Sequence, residues 1–88
     1  MPISHRTQQA RIAILRVLQA ADLPVADRTL RDLARQHLAD SWNENDLGDV
    51  IRDMELERYI EFTTRQFDQQ KVWQLTDKGR ITANGIRG

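Results

Sequence analysis

The chain has 88 residues and a mass of 10.3 kDa, which suffices for one small domain and not for two. Hydrophobic residues make up 40% and charged residues 30%, with 4 Gly and 2 Pro, so collagenous, low-complexity and strongly disordered classes are excluded. Lys and Arg together number 13, as do Asp and Glu, so the chain lacks the overall positive field that is common in nucleic-acid-binding proteins.

Cysteine is absent, which excludes disulfides, cysteine-ligated metal centres and thiol catalysis. The apolar run from Ile12 to Leu15 stops at Arg16, so no membrane span and no signal-peptide core is available there. We therefore expect a cytoplasmic protein that has no membrane partner.

The first predicted helix is capped by Thr7 or by Ser4, whose side-chain oxygens accept a bond from an amide of the first turn. The helix is apolar on more than one side, at Ile12, Ile14, Leu15, Val17, Leu18 and Ala21, which predicts a central position. It ends at Asp22-Leu23-Pro24. Because Pro24 cannot donate to a sheet ladder, residues 23–25 form at most a short edge strand.

The second predicted helix begins at Asp27 and is amphipathic. Its apolar stripe is Leu30, Leu33, Ala34 and Leu38, and its solvent face is Arg28, Arg31, Asp32 and Arg35. A connection near Asp40 leads to the third helix.

The third predicted helix opens at Ser41-Trp42-Asn43-Glu44, which has the form of a capping box. Its core stripe is Leu47, Val50, Ile51 and Met54. Placing that stripe inward turns Asn45, Asp49, Arg52 and Leu56 outward at 100° per residue.

After Arg58 the pattern alternates, which predicts a hairpin of two strands. Ile60 and Phe62 share one face of the first strand, and Trp73 and Leu75 share one face of the second, opposite Val72 and Gln74. A register whose paired numbers sum to an odd total such as 137 places both apolar series on the same face. Thr76-Asp77 then caps a short last helix through Ile81, with Asn84-Gly85 as a left-handed stop.

This order resembles the winged helix-turn-helix superfamily. The resemblance covers about residues 7–83 of a single domain at 1–88, with a short tail at 84–88. Its most recognisable pieces are Leu30-x-x-Leu33-Ala34, Tyr59-Ile60 and Val72-Trp73-Gln74-Leu75-Thr76-Asp77-Lys78-Gly79. The last piece looks like the L-T-x-x-G segment of bacterial regulators of the multiple-antibiotic-resistance and phenolic-acid-response kinds.

The resemblance implies an α+β, mainly α fold, with a three-helix core, a two-stranded β-hairpin wing and a short C-terminal helix. Such proteins often have Gly where the third helix meets the wing, because Gly enters the left-handed region freely. Here Arg58 takes that position.

Catalysis has no support in the pattern. The two histidines, His5 and His37, lack a nearby Ser or Cys in a nucleophile arrangement, and no glycine-rich phosphate loop is present. His37-x-x-Asp40 offers two metal ligands, whereas a metal site needs more. We expect a protein that is not an enzyme and has neither a metal nor another cofactor.

Double-stranded DNA is the partner that the resemblance implies, with the third helix in the major groove and the wing beside it. Residues 1–35 carry a net +3, residues 36–61 a net −6 and residues 62–88 a net +3. The acidic block contains the recognition helix itself, and carboxylates are repelled by phosphate. The candidate DNA-binding residues are Arg28, Arg31, Arg35, Asn45, Arg52, Arg65, Gln66, Gln69 and Lys71, in a small regulator of a bacterium or its phage.

The acidic third helix has a second interpretation, as the docking face of a protein-interaction module for a basic partner. Its candidate residues are Trp42, Asp49, Asp53 and Leu56, since apolar anchors flanked by carboxylates suit a protein interface. Core packing is the alternative fate of Trp42 and Leu56. A homodimer through the broad apolar first helix is compatible with both functions.

Overall fold

A computed structural model describes residues 5–21, 23–38, 42 and 44–86. In these ranges the element order is α1 (His5–Ala20), β1 (Val25–Ala26), α2 (Asp27–Gln36), α3 (Glu44–Leu56), β2 (Ile60–Thr64), β3 (Lys71–Leu75) and α4 (Asp77–Asn84). The fold is α+β and mainly helical, and its strands form one antiparallel sheet in the order β1-β3-β2. None of the helices in these ranges has the length and hydropathy needed to cross a membrane.

Helix α1 is the centre of the core, as its broad apolar surface predicts. Its buried residues are Ala10, Ala13, Ile14, Leu15, Val17 and Leu18, and it contacts α2, α3, α4 and β3. The cap at Thr7 is wrong, because the chain is already helical at His5. Several predictions fall outside the described residues: the alternative cap at Ser4, the end of α1 at Asp22, the connection near Asp40, and the capping box that contains Ser41 and Asn43.

Helix α2 begins at Asp27 as predicted and buries Leu30 and Ala34. Two predictions on this helix are wrong. Leu33 remains 37% exposed at the edge of the core. Arg31 is not on the solvent face, because its guanidinium lies over α3, where a Cβ added to Gly48 would be 3.3 Å from Nη1.

Helix α3 confirms the predicted stripe, since Leu47, Val50, Ile51 and Met54 are all buried. The residue that leads from α3 towards β2 has a left-handed conformation, for which glycine is the usual residue. Arg58 has a φ of 68°, in the left-handed region, and Tyr59 N–H donates to the Met54 carbonyl at 2.9 Å. The chain thereby turns from α3 directly into β2.

The sheet confirms the hairpin and the odd-numbered register, with a different total. Ile60 pairs with Leu75 and Phe62 pairs with Trp73, so the paired numbers sum to 135 and not 137. Phe62 meets the Trp73 ring edge-on at 5.5 Å yet stays 40% exposed. Strand β1 pairs with β3 through Val25 and Trp73, so it is a short edge strand as expected, although it covers Val25–Ala26 and not residues 23–25.

Helix α4 is capped as predicted, since Thr76 Oγ1 accepts from Gly79 N–H at 3.0 Å. The left-handed stop is wrong. Gly85 has φ −80° and ψ −10°, and its N–H continues the right-handed turn by donating to the Ile81 and Thr82 carbonyls. The chain does not reverse there, because Ile86 follows and packs against the core.

Candidate functional site

A polar surface groove runs between α2, α3 and β3, with a volume of about 720 Å³; we call it the α2–α3–β3 groove. It is lined by Asp27, Arg28, Arg31, Asn45, Gly48, Asp49, Ile51, Arg52, Glu55, Gln70, Lys71 and Trp73. Five residues singled out from the sequence for DNA contact therefore meet in one place, namely Arg28, Arg31, Asn45, Arg52 and Lys71. They come from three elements that are distant along the chain.

Asp27 organises one wall of the groove. Its Oδ1 accepts from the Trp73 indole Nε1–H at 2.8 Å, and its Oδ2 lies 3.1 Å from Arg31 Nε. Gly48 makes the room in which the Arg31 guanidinium lies, since its nearest contacts there are the Arg31 Nη1 and Nη2 atoms. The Arg31 side chain thus lies between a carboxylate on its own helix and Gly48 of α3.

Lys71 stands at the hairpin side of the groove on an aromatic base. Its Nζ lies 4.2 Å from the Phe62 ring centre and 5.3 Å from the Trp73 ring centre. A cation over aromatic faces is attracted by the ring quadrupoles. Phe62 remains 40% exposed although Lys71 covers part of its ring.

Carboxylates interrupt the positive surface of the groove. Its lining includes four cations but also Asp27, Asp49 and Glu55. Asp27 is engaged by Trp73 and Arg31, whereas Asp49 is exposed on the outward face of α3. The groove is therefore positive by one charge only, and an anion in it would meet Asp49 beside Asn45 and Arg52.

The hairpin tip, residues 65–70, is a separate structure beyond the groove. Arg65 and Asp68 form a two-pronged ion pair, with Nε–Oδ1 at 3.0 Å and Nη2–Oδ2 at 2.6 Å. The hydrogen bond from Arg65 holds the pKa of the Asp68 carboxyl below its ordinary value, and the same bond raises the pKa of Arg65. The tip has no net charge, and the Arg65 guanidinium is already engaged by the Asp68 carboxylate.

Four of the predicted DNA-contacting residues do not line the groove: Arg35, Arg65, Gln66 and Gln69. All four are exposed. Arg35 lies in the last turn of α2, and the other three belong to the hairpin tip. They are not part of the groove wall.

The residues predicted for a protein interface separate in the structure. Trp42 is only 8% exposed and belongs to the core, with the Arg6 guanidinium 4.2 Å above its ring, so Trp42 as a surface anchor is wrong. Asp49 lines the α2–α3–β3 groove. Asp53 and the 72% exposed Leu56 line a smaller groove of about 260 Å³ beside α1, together with Thr7, Arg11, Val50 and Glu57.

Six groove residues were not singled out from the sequence as site residues: Asp27, Gly48, Ile51, Glu55, Gln70 and Trp73. Gly48 carries a usable signal, because glycine weakens a helix interior and therefore indicates close approach by another group. Asp27 and Trp73 carry none, since their contact joins positions that are 46 residues apart.

Comparisons of this chain with protein-family models, with curated proteins and with solved structures find no match.

Proposed function

We propose that this chain is a winged-helix domain that binds double-stranded DNA, with α3 as its recognition helix and the β2–β3 hairpin as its wing. The order of the elements and the Thr76-to-Gly79 segment support the family assignment. The biological setting that suits such a domain is transcription regulation or another DNA transaction in a bacterium or its phage.

The observation that carries the proposal is the convergence of cations in the α2–α3–β3 groove. Arg28 and Arg31 come from α2, Arg52 from α3 and Lys71 from β3. Neutralising phosphates releases counterions, and this release supplies much of the free energy of DNA binding. A phosphate backbone that follows the groove would contact all four cations.

The proposal gives each residue a role. Asn45 and Arg52 lie on the outward face of α3 and have donor and acceptor patterns suited to base edges. Phosphates would be held by cations of the groove and by those that flank it: Arg28, Arg31, Arg35, Arg65 and Lys71. Gln66 and Gln69 would add neutral hydrogen bonds from the hairpin tip.

The test measures the affinity for a fluorescent duplex by anisotropy, starting at about 50 mM salt, where electrostatic binding is strongest. We expect the logarithm of the affinity to fall linearly with the logarithm of the salt concentration. Lys71→Ala and Arg28→Ala should each lower the affinity and reduce that slope by about one.

Arg80→Ala is the matched control. Arg80 is an exposed arginine on α4, outside the groove, so its removal changes the net charge equally and should leave binding nearly unchanged. Equal losses in Lys71→Ala and Arg80→Ala would show that only net charge matters. An absence of binding by the unaltered protein at about 50 mM salt would refute the proposal.

A protein-interaction module without direct DNA binding is the second candidate function. It is favoured by Leu56, which is 72% exposed beside Asp53 in the small groove, because an exposed leucine next to a carboxylate suits a basic, amphipathic partner. Trp42 is buried in the core and does not contribute to this site, so the apolar area of the site is smaller than the sequence indicated.

Charge reversal distinguishes the two functions because the two aspartates lie in different grooves. Under the DNA proposal Asp49→Lys should strengthen duplex binding and Asp53→Lys should change it less. Under the alternative, Asp53→Lys and Leu56→Ala should abolish capture of a basic partner. Strengthened DNA binding in Asp49→Lys together with unaltered pull-down profiles in Asp53→Lys would exclude the module.

A further inference from the structure

The ring of Phe67 is the most exposed large apolar side chain of the described residues. It lies at the hairpin tip and is 97% exposed, so the ring does not fold back over the strands. Scattered single apolar residues are common on surfaces, so exposure alone indicates little; what matters is how and where the chain holds this ring.

The tip that carries Phe67 is held by several bonds. Arg65 N–H donates to the Gln70 carbonyl at 2.9 Å, and Gln69 N–H donates to the Arg65 carbonyl at 2.7 Å. The Arg65–Asp68 ion pair spans the turn, and Gln70 N–H also donates to Asp68 Oδ1 at 3.1 Å. These bonds hold the backbone on both sides of Phe67 and present the ring outward.

The position of the tip links Phe67 to the α2–α3–β3 groove. Every residue from 61 to 71 is exposed, so the hairpin projects from the body of the domain. Gln70 and Lys71, which follow the tip directly, line the groove. A duplex held in the groove would therefore pass the tip. Phe67 lies there between Gln66 and Asp68, whose carboxylate is paired with Arg65, and Gln69 follows. The glutamine amides both donate and accept hydrogen bonds.

We infer that Phe67 is a wedge that inserts into the minor groove of the bound duplex, unstacks a base step and bends the DNA. Apolar side chains that enter the minor groove act in this way, and pyrimidine–purine steps are the easiest to open. The inference rests on the proposed function and adds deformation of the duplex to it. It is also consistent with the low net charge of the groove, which is +1. Bent DNA would contact additional protein surface, and these contacts would add to the small electrostatic contribution of the groove.

The experiment uses a 30-base-pair duplex with a central TA step, in which the adenine is replaced by 2-aminopurine and the ends carry a donor and an acceptor dye. Unstacking raises 2-aminopurine fluorescence, and bending raises energy transfer between the ends. At about 50 mM salt, where electrostatic binding is strongest, we expect the unaltered protein to raise both signals. Phe67→Ala should lose both and bind about tenfold more weakly, because opening a base step and filling it with an apolar group are coupled.

The salt dependence separates the wedge from a general loss of affinity. Phe67 carries no charge, so Phe67→Ala should keep the salt slope of the unaltered protein. Phe67→Leu should retain part of the fluorescence change, since leucine also serves as a wedge. Ile81→Ala is the matched control, because Ile81 is 73% exposed on α4 and away from the groove, and it should match the unaltered protein in both signals.

Failure of the inference and failure of the proposed function give different results. Binding by the unaltered protein with equal bending by Phe67→Ala would overturn the wedge and leave DNA binding intact. No binding at about 50 mM salt would overturn both. Unchanged DNA signals in Phe67→Ala combined with loss of a protein partner would identify Phe67 as a protein anchor and likewise overturn the wedge.

Discussion

Gly79 is the position at which the fold leaves no room for a side chain. A Cβ there would lie 1.9 Å from the Tyr59 carbonyl oxygen, which is a backbone atom fixed between α3 and β2. Alanine favours a helix over glycine by about 1 kcal/mol, yet we expect Gly79→Ala to lower the free energy of unfolding by about 3 kcal/mol, since α4 must move away from Tyr59. Urea unfolding followed by tryptophan fluorescence measures this difference.

Gly85→Ala is the control for Gly79→Ala, because it makes the same change at the other end of the same helix. Gly85 has a φ of −80°, and an added Cβ would make an ordinary contact of 3.5 Å with the Thr82 carbonyl oxygen. We expect Gly85→Ala to be neutral or stabilising by about 0.5 kcal/mol. Similar losses in the two variants would contradict the steric explanation.

The Arg65–Asp68 pair makes the order of the hairpin tip depend on pH. The hydrogen bond from Arg65 lowers the pKa of Asp68 in the folded protein below its ordinary value of 3.8. The ion pair is therefore fully formed above pH 3.8 and is lost as the pH falls through the lowered pKa. We expect an NMR titration of the Asp68 carboxyl to give a midpoint below 3.8. Arg65→Gln should raise the midpoint towards the ordinary value, since only the backbone N–H bonds to Asp68 remain, and Arg80→Gln should leave it lowered. An Asp68 midpoint that is the same in Arg65→Gln and in the unaltered protein would contradict this account of the tip.

Single residues also show what the sequence can and cannot predict. The resemblance marked position 58 as one where glycine is usual, and Arg58 adopts the left-handed conformation that explains the preference. At Gly85 the same argument failed, since glycine permits that conformation without requiring it. The sequence identifies where a special conformation is accessible, and the neighbouring packing determines whether it is used.

Thr76 joins β3 to α4 and also ties both to the exit of α3. Its Oγ1 accepts from Gly79 N–H at 3.0 Å, its hydroxyl donates to the Arg58 carbonyl, and its N–H donates to the Tyr59 carbonyl at 3.1 Å. We expect Thr76→Ala to lower the free energy of unfolding by about 1–2 kcal/mol, because it removes a helix cap and leaves the Arg58 carbonyl without this donor. Calorimetry or urea unfolding measures the change.

Thr76→Ser tests whether the hydroxyl is responsible. Serine keeps the oxygen and is at least as good a cap, so this variant should retain most of the stability. A serine variant as unstable as the alanine variant would assign the loss to the missing methyl group. It would then contradict the role given to the cap.

The hairpin illustrates a limit of pattern reasoning for whole elements. Alternation fixes whether the paired numbers sum to an odd or an even total, because a slip of one residue moves every side chain to the other face. A slip of two residues keeps the faces, so totals of 135 and 137 fit the pattern equally well. The tip bonds decide between them, since Arg65 pairs with Gln70 and Asp68 braces the turn. Such turn chemistry has no apolar periodicity.

The two tryptophans allow a test of whether the molecule unfolds as one unit. Trp42 is 8% exposed beside α3 and Trp73 is 2% exposed in the sheet, so each reports on a different part of the same core. In Trp42→Phe and Trp73→Phe, each of which keeps one indole, we expect fluorescence and far-UV circular dichroism to give the same urea midpoint. Trp73→Phe should unfold at a lower urea concentration than the unaltered protein, because Asp27 loses the hydrogen bond from the indole N–H. Different midpoints for the two signals in either variant would show that the regions unfold separately.

Across the whole molecule, the sequence predicted the buried faces of the helices and strands better than it predicted the α2–α3–β3 groove. Core positions repeat with the period of a helix or strand, so Leu47 and Met54 are recognisable without a structure. The α2–α3–β3 groove depends on contacts between elements, such as Asp27 with Trp73 and Arg31 with Gly48. No periodicity records those contacts, and the net charge of zero conceals the local convergence of Arg28, Arg52 and Lys71.

The pairing of β1 with β3 also determines when this protein can finish folding during its synthesis. Val25 is translated well before its partner Trp73, and both residues belong to the core. Helices α1, α2 and α3 therefore emerge from the ribosome before β3, the strand that completes the sheet, has emerged. A nascent chain arrested before Leu75 has emerged should remain digestible by added protease, and one arrested after it should resist.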